Sequence, residues 1–224
     1  MTAIFVVATI VVLLTLDWLH ARRTEEVPAV QSERAPALAP VLLRDLPAGG
    51  FELRENLGYH PAHTWAFKES PGLVRVGMDD FAARLLGSLE SIDLPRRGQW
   101  VRQGQRLAVA HRDGATVELV SPMEGIVADV NDDLARDAGA ATEDPYGAGW
   151  LITVQAPDLP TSFRNLLKGS AARSWMVEAS ERLRGMLPAP AGAVAQDGGL
   201  VVRNLAEQLP DEEWARLAGE FLGN

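Results

Sequence analysis

From Ala3 to Leu16 the chain is apolar except for Thr9 and Thr15, and Trp18 and Leu19 carry the run past a single Asp17. As a helix, Thr2 to Leu19 spans about 27 Å, close to the roughly 30 Å of a bilayer core. The pattern predicts a transmembrane anchor over residues 1–20. Arg22 and Arg23 follow the run, the reverse of a cleaved signal peptide. The positive-inside rule then places the rest of the chain in the cytoplasm, as a single-pass protein of the inner membrane. Residues 21–57 read as a Pro/Ala-rich linker, because Pro28, Pro36, Pro40 and Pro47 interrupt any regular element.

From residue 58 to 169 the texture becomes short β-type runs set between Gly and Pro. Leu73–Gly77 alternates as a strand, and Asp79 and Asp80 open a short helix over Phe81–Leu86 that Gly87 ends. Leu89–Leu94, Arg106–Ala110 and Thr116–Val120 read as further strands, followed by a turn and strand at Gly125–Val127 and a loop entering a strand at Asp144–Val154. Between two of them stands Arg112-Asp113-Gly114-Ala115, and an Asp-Gly pair flanked by β-runs is a strong hairpin signal, since Gly takes the positive φ of a primed turn. Strands and turns at this spacing fit a flattened barrel or sandwich. Residues 170–224 form a helical extension. Trp175, Met176, Ala179, Leu183, Met186 and Leu187 line one face of a first helix, and Pro210 with Asp211, Glu212 and Glu213 opens a second whose apolar side is Trp214, Leu217, Phe221 and Leu222. Whether these helices fold back or bind a partner is open at this level.

Composition narrows the chemistry. The chain has 224 residues, no cysteine and a net charge of −9. Thiol nucleophiles, disulfides and cysteine-ligated metals are excluded, and an acidic protein is poorly matched to a nucleic-acid partner. Only Lys68 and Lys168 are lysines; all other basic residues are arginines. His60 and His63 are three apart, but no third ligand completes a metal set, so packing roles are expected and no metal. Asp132, Asp133, Asp137, Glu143 and Asp144 read as a solvated acidic loop. No phosphate-cradling, dinucleotide or nucleophile-elbow motif occurs, and the chain is not expected to be an enzyme.

The ordered series His63-Thr64-Trp65, Val74-Arg75-Val76-Gly77-Met78, Asp80-Phe81-Ala82, Leu94-Pro95, Ser121-Pro122, Val130-Asn131 and Asp144-Pro145-Tyr146-Gly147-Ala148-Gly149-Trp150-Leu151 resembles the H protein of the glycine cleavage system, over about half the chain. The resemblance implies a mainly β fold, a barrel-sandwich hybrid of the lipoyl and biotinyl type. It also implies a lipoyl arm, amide-linked to one lysine at a hairpin tip, that shuttles an aminomethyl group between partner enzymes. In the family that lysine lies eight residues before the proline of the Ser-Pro pair, with a glutamate three residues earlier. Counting from Pro122 puts Gly114 at the lysine position and His111 at the glutamate.

Glycine offers no amine, and the guanidinium of neighbouring Arg112 stays protonated and does not acylate. His111, Arg112 and Asp113 flank an acceptor position that is bare, so lipoate is expected to be absent. The expectation is a membrane-anchored, non-catalytic binding or scaffolding subunit, with protein partners in a membrane-associated complex. The alternative is a carrier modified at a non-standard lysine, Lys68 or Lys168.

Overall fold

The computed structural model describes residues 45–187 and 209–223. The anchor expected over residues 1–20 lies outside them; among the described residues no helix is long and apolar enough to cross a membrane.

Eleven strands are described, and each pair is antiparallel. β1 (Asp45–Ala48) and β2 (Phe51–Arg54) form a hairpin of their own. A six-stranded sheet runs in the order β3 (Gly58–His60), β4 (Thr64–Ser70), β5 (Leu73–Met78), β11 (Ile152–Gln155), β10 (Gly125–Val130), β7 (Trp100–Val101). A three-stranded sheet follows the order β6 (Ser91–Asp93), β8 (Arg106–Arg112), β9 (Ala115–Val120). The helices are α1 (Asp80–Leu86), α2 (Ala140–Glu143), α3 (Leu159–Arg164), α4 (Gly169–Met186) and α5 (Asp211–Leu222).

These elements form where local chemistry demands them. Asp79 caps α1 by accepting from the Ala82 amide at 2.9 Å, and Gly87 ends the helix with φ +68°. β5 is buried on both faces from Val74 to Met78, as a strand in the middle of a covered sheet must be. Trp65 lies at the core's centre, fully buried, with its indole N–H donating to the Pro145 carbonyl at 3.1 Å. Side chains of this size contribute about 1.5–3 kcal/mol each on burial. A Cβ on Gly77 would sit 2.4 Å from the Trp65 ring, so this ring selects glycine at position 77.

The expected linker over 21–57 is described only from residue 45, and from there it is not a tether. The Gly49-Gly50 turn closes the β1–β2 hairpin, and Phe51 and Leu53 alternate inward. Phe51 meets Phe81 of α1 with ring centroids 4.7 Å apart. Ser180 and Arg184 of α4 both donate to the Gly49 carbonyl, at 2.6 and 3.0 Å. Four-residue strands leave too short an alternation to stand out among prolines and alanines. The strand expected over Leu89–Leu94 contracts to Ser91–Asp93. The acidic stretch holds a 3-10 turn (Asp132–Ala135) and α2 as well as loop. Both C-terminal helices fold back onto the sheets.

Candidate functional site

The Asp-Gly turn falls where its chemistry places it. Arg112 pairs with Ala115 across β8 and β9, leaving Asp113 (φ +48°) and Gly114 (φ +78°) as a two-residue loop with both φ positive, the signature of a primed turn. A Cβ built on Gly114 meets no atom within 4 Å. The side chain is therefore absent at an open position, with no crowding to exclude one.

The flanking residues are held in place. The Arg112 guanidinium donates to the Leu86 carbonyl at 3.2 Å and to Asp113 at 3.1 Å, and its centre lies 5.2 Å from the Trp214 ring centroid. His111 Nε2 lies 2.9 Å from an Asp93 oxygen. Above the tip sits the start of α5. Arg112, Asp113, Gly114, Ala115, Asp211 and Trp214 enclose a hollow of about 140 Å³.

From there α5 runs along β9 and α1. Trp214 is buried and its indole donates to the Leu85 carbonyl at 2.8 Å. Phe221 lies 5.0 Å from Phe81 and 6.2 Å from His63, ring to ring, and Gly223 closes against Val120 and Ala62. One helix thus flanks the hairpin, from beside its exposed tip to its far end. Opposite charges extend the hold, since Arg182 of α4 lies 3.6 Å from Glu220 and stacks on Phe221 at 4.7 Å.

The two histidines of the sequence pattern are packing residues. His63 is fully buried, in the left-handed region (φ +59°), with Nδ1 2.9 Å from Asp79 and its ring stacked on Phe81 at 3.9 Å. His60 Nδ1 accepts from the Ala62 amide. Burial, and then the nearby His63, hold the His60 pKa below its ordinary 6.5. Among the described residues no group of three or more His, Asp or Glu could hold a metal.

The acidic loop is pinned by other hydrogen bonds. Asn131 donates to the Ala148 and Trp150 carbonyls at 2.8 and 2.7 Å, and Tyr146 donates to the Glu52 carbonyl at 2.7 Å. Burial raises the Tyr146 pKa, which keeps its hydroxyl a donor. A Cβ on Gly149 would lie 2.4 Å from the Ala140 carbonyl. The Asp-Pro-Tyr-Gly-Ala-Gly-Trp run is thus an architectural clamp between the sheet and the β1–β2 hairpin.

The model of the family described as glycine cleavage H-protein matches residues 57–179. The chain belongs to the glycine cleavage H-protein family. The glycine cleavage system H protein of Anaeromyxobacter sp. (strain K) is 35% identical over 127 residues, covering 57% of this chain and 98% of that relative. That of Xanthomonas euvesicatoria is 37% identical over 107 residues, 48% of this chain and 82% of the relative. The crystal structure of a glycine cleavage system H protein from Mycobacterium marinum aligns with 29% identity and a TM-score of 0.47, over 53% of this chain and 94% of that one. The H-protein-type match begins after β2 and ends within α4, so the anchor pattern, the β1–β2 hairpin and α5 all lie outside it.

Neither lysine of this H-protein family member lies at the Asp113-Gly114 turn. Lys68 is in the middle of β4, opposite Val74, and Lys168 precedes α4 with its ammonium 4.7 Å from the Phe163 ring centroid. Sequence reasoning did not anticipate that both line one groove, together with Leu53, Leu57 and Arg173. It also read Asp79 only as a helix opener, whereas Asp79 caps α1 and holds His63 at once.

Proposed function

We propose that this chain is a membrane-anchored, cytoplasm-facing member of the H-protein family that does not carry lipoate. It works as a non-catalytic binding or scaffolding subunit of a membrane-associated complex. One observation carries the reading: the tip of the β8–β9 hairpin presents Gly114, with no side chain, and nearby Arg112 packs on Trp214 of α5. Amide attachment of lipoate needs a primary amine able to become neutral and attack an acyl donor, and an arginine beside the turn cannot replace it. What remains is a folded body whose diagnostic residues brace the architecture, linked in sequence to an N-terminal run suited to a bilayer.

The test is made on the native membrane. The chain should stay with the membrane fraction after alkaline carbonate washing, and chemical cross-linking there should join it to the same partner in fixed stoichiometry. A chain released by carbonate, or recovered from membranes without a stoichiometric neighbour, contradicts the reading.

The alternative, a carrier modified at a non-standard lysine, draws on the exposure of Lys68 and Lys168. It requires an acyl adduct that disappears on substituting one of them.

A further inference from the structure

Away from the hairpin, a groove of about 900 Å³ opens between the β2–β3 segment and the beginning of α4. That lies within the size range of small-ligand sites. Its floor is apolar: Leu53, Leu57 and Tyr59 are at most 3% exposed, and the Phe163 ring stands at one side. The floor is also rigid. Tyr59 exchanges backbone hydrogen bonds with Leu167 at 2.9 and 2.8 Å, and its hydroxyl bonds the Arg54 amide at 2.7 Å.

The rim has the opposite character to the rest of the molecule. In a chain of net charge −9, both lysines, Lys68 and Lys168, meet Arg173 around this one groove, and Glu55 is the single acid that lines it. Among the described residues no carboxylate pairs with Lys68, Lys168 or Arg173. Three exposed cations set round an apolar floor, in an acidic protein, make this groove a local positive field that attracts an anion. The 18-residue helix α4, which starts at the groove without a side-chain cap, adds its positive end to the same field.

We infer that this groove binds a small amphipathic carboxylate: an acyl chain lies on Leu53, Leu57 and Phe163, and the anionic head sits among Lys68, Lys168 and Arg173. Burial of the chain supplies affinity, and the cations select the charge. The binding is non-covalent and is independent of whether lipoate is attached elsewhere.

The probe is a decanoic acid analogue with a photoactivatable diazirine at the chain end, applied to the full chain in nanodiscs of zwitterionic lipid. Labelling should map to residues 53–59 and 163–174, be suppressed by excess decanoate, and be unaffected by decyltrimethylammonium. The K68Q/K168Q/R173Q triple variant should lose about tenfold in labelling at sub-saturating probe, while its thermal midpoint stays that of the unsubstituted chain, because all three side chains are exposed. Labelling spread over the chain, or suppression by the cationic amphiphile as well, overturns the proposal. So does displacement of the probe by phosphatidylglycerol vesicles at lower concentration than decanoate, which would assign the groove to a membrane surface.

Discussion

The β8–β9 tip and the β3–α4 edge divide between them what an acyl-carrier site needs together. The tip has the tight turn, with Asp113 and Gly114 both at positive φ, but no amine, and the first turn of α5 packs beside it. The edge has both of the chain's amines, in the middle of a strand and before a helix, where neither projects from a turn. A covalent arm works when its anchor is held out on a short rigid loop and is free to sweep. On the proposed reading, separating amine from loop costs the chain that function and leaves the fold intact. The residues that carry the family resemblance are architectural: Trp65, His63, Asn131 and Tyr146 hold the body together through buried or partly buried hydrogen bonds.

The strongest way to break this comparison is to release α5 from the hairpin. Trp214→Ala removes a buried indole, its hydrogen bond to Leu85 and the platform under Arg112. A loss of about 3–5 kcal/mol is expected, and α5 should detach before the sheets melt. Hydrogen exchange should then rise at Arg112–Val120 while Trp65 and its neighbours stay protected; unchanged exchange along β9 would contradict α5 as its cover.

A smaller effect comes from giving the tip its amine. In Gly114→Lys the new side chain meets open space, but its backbone keeps φ +78°, at a cost of about 1–2 kcal/mol, read as a lowered denaturant midpoint. A lipoyl ligase should modify Gly114→Lys weakly while α5 is docked, and more fully once Trp214→Ala is added. Equal modification in both backgrounds would show that α5 does not restrict access.

The smallest effect lies at the edge. Burial holds the His60 pKa below the 6.5 of the unfolded chain, so the unfolded state takes up protons first as the solution is acidified. This contribution to stability is complete above pH 6.5 and is lost as pH falls through the folded value. His60→Asn should flatten the fall in stability below about pH 6.5. An unchanged slope would show that His60 is solvated in the folded protein.

Much of this was legible in the sequence where a local rule has one solution. The Asp113-Gly114 turn, the Asp79 cap with Gly87 behind it, and the Pro210 start of α5 each follow from residue chemistry at a fixed offset. The family resemblance, counted back from Pro122, points to Gly114 as the acceptor position. The β1–β2 hairpin was not legible, because its stability comes from Phe81, Ser180 and Arg184, which are distant in sequence. Nor was the placement of α5 along the hairpin and α1: amphipathic spacing shows that a helix has an apolar side and does not show what that side meets. The groove was hidden for the same reason, since Lys68 and Lys168 are a hundred residues apart.

The central claim is chemical and has a direct test. The chain should be isolated from its native cells, without heterologous expression, and its intact mass measured beside the masses of its lysine-containing peptides. The account predicts unmodified Lys68 and Lys168 and no lipoyl or octanoyl increment on any part of the polypeptide; a stoichiometric increment of either kind would contradict it.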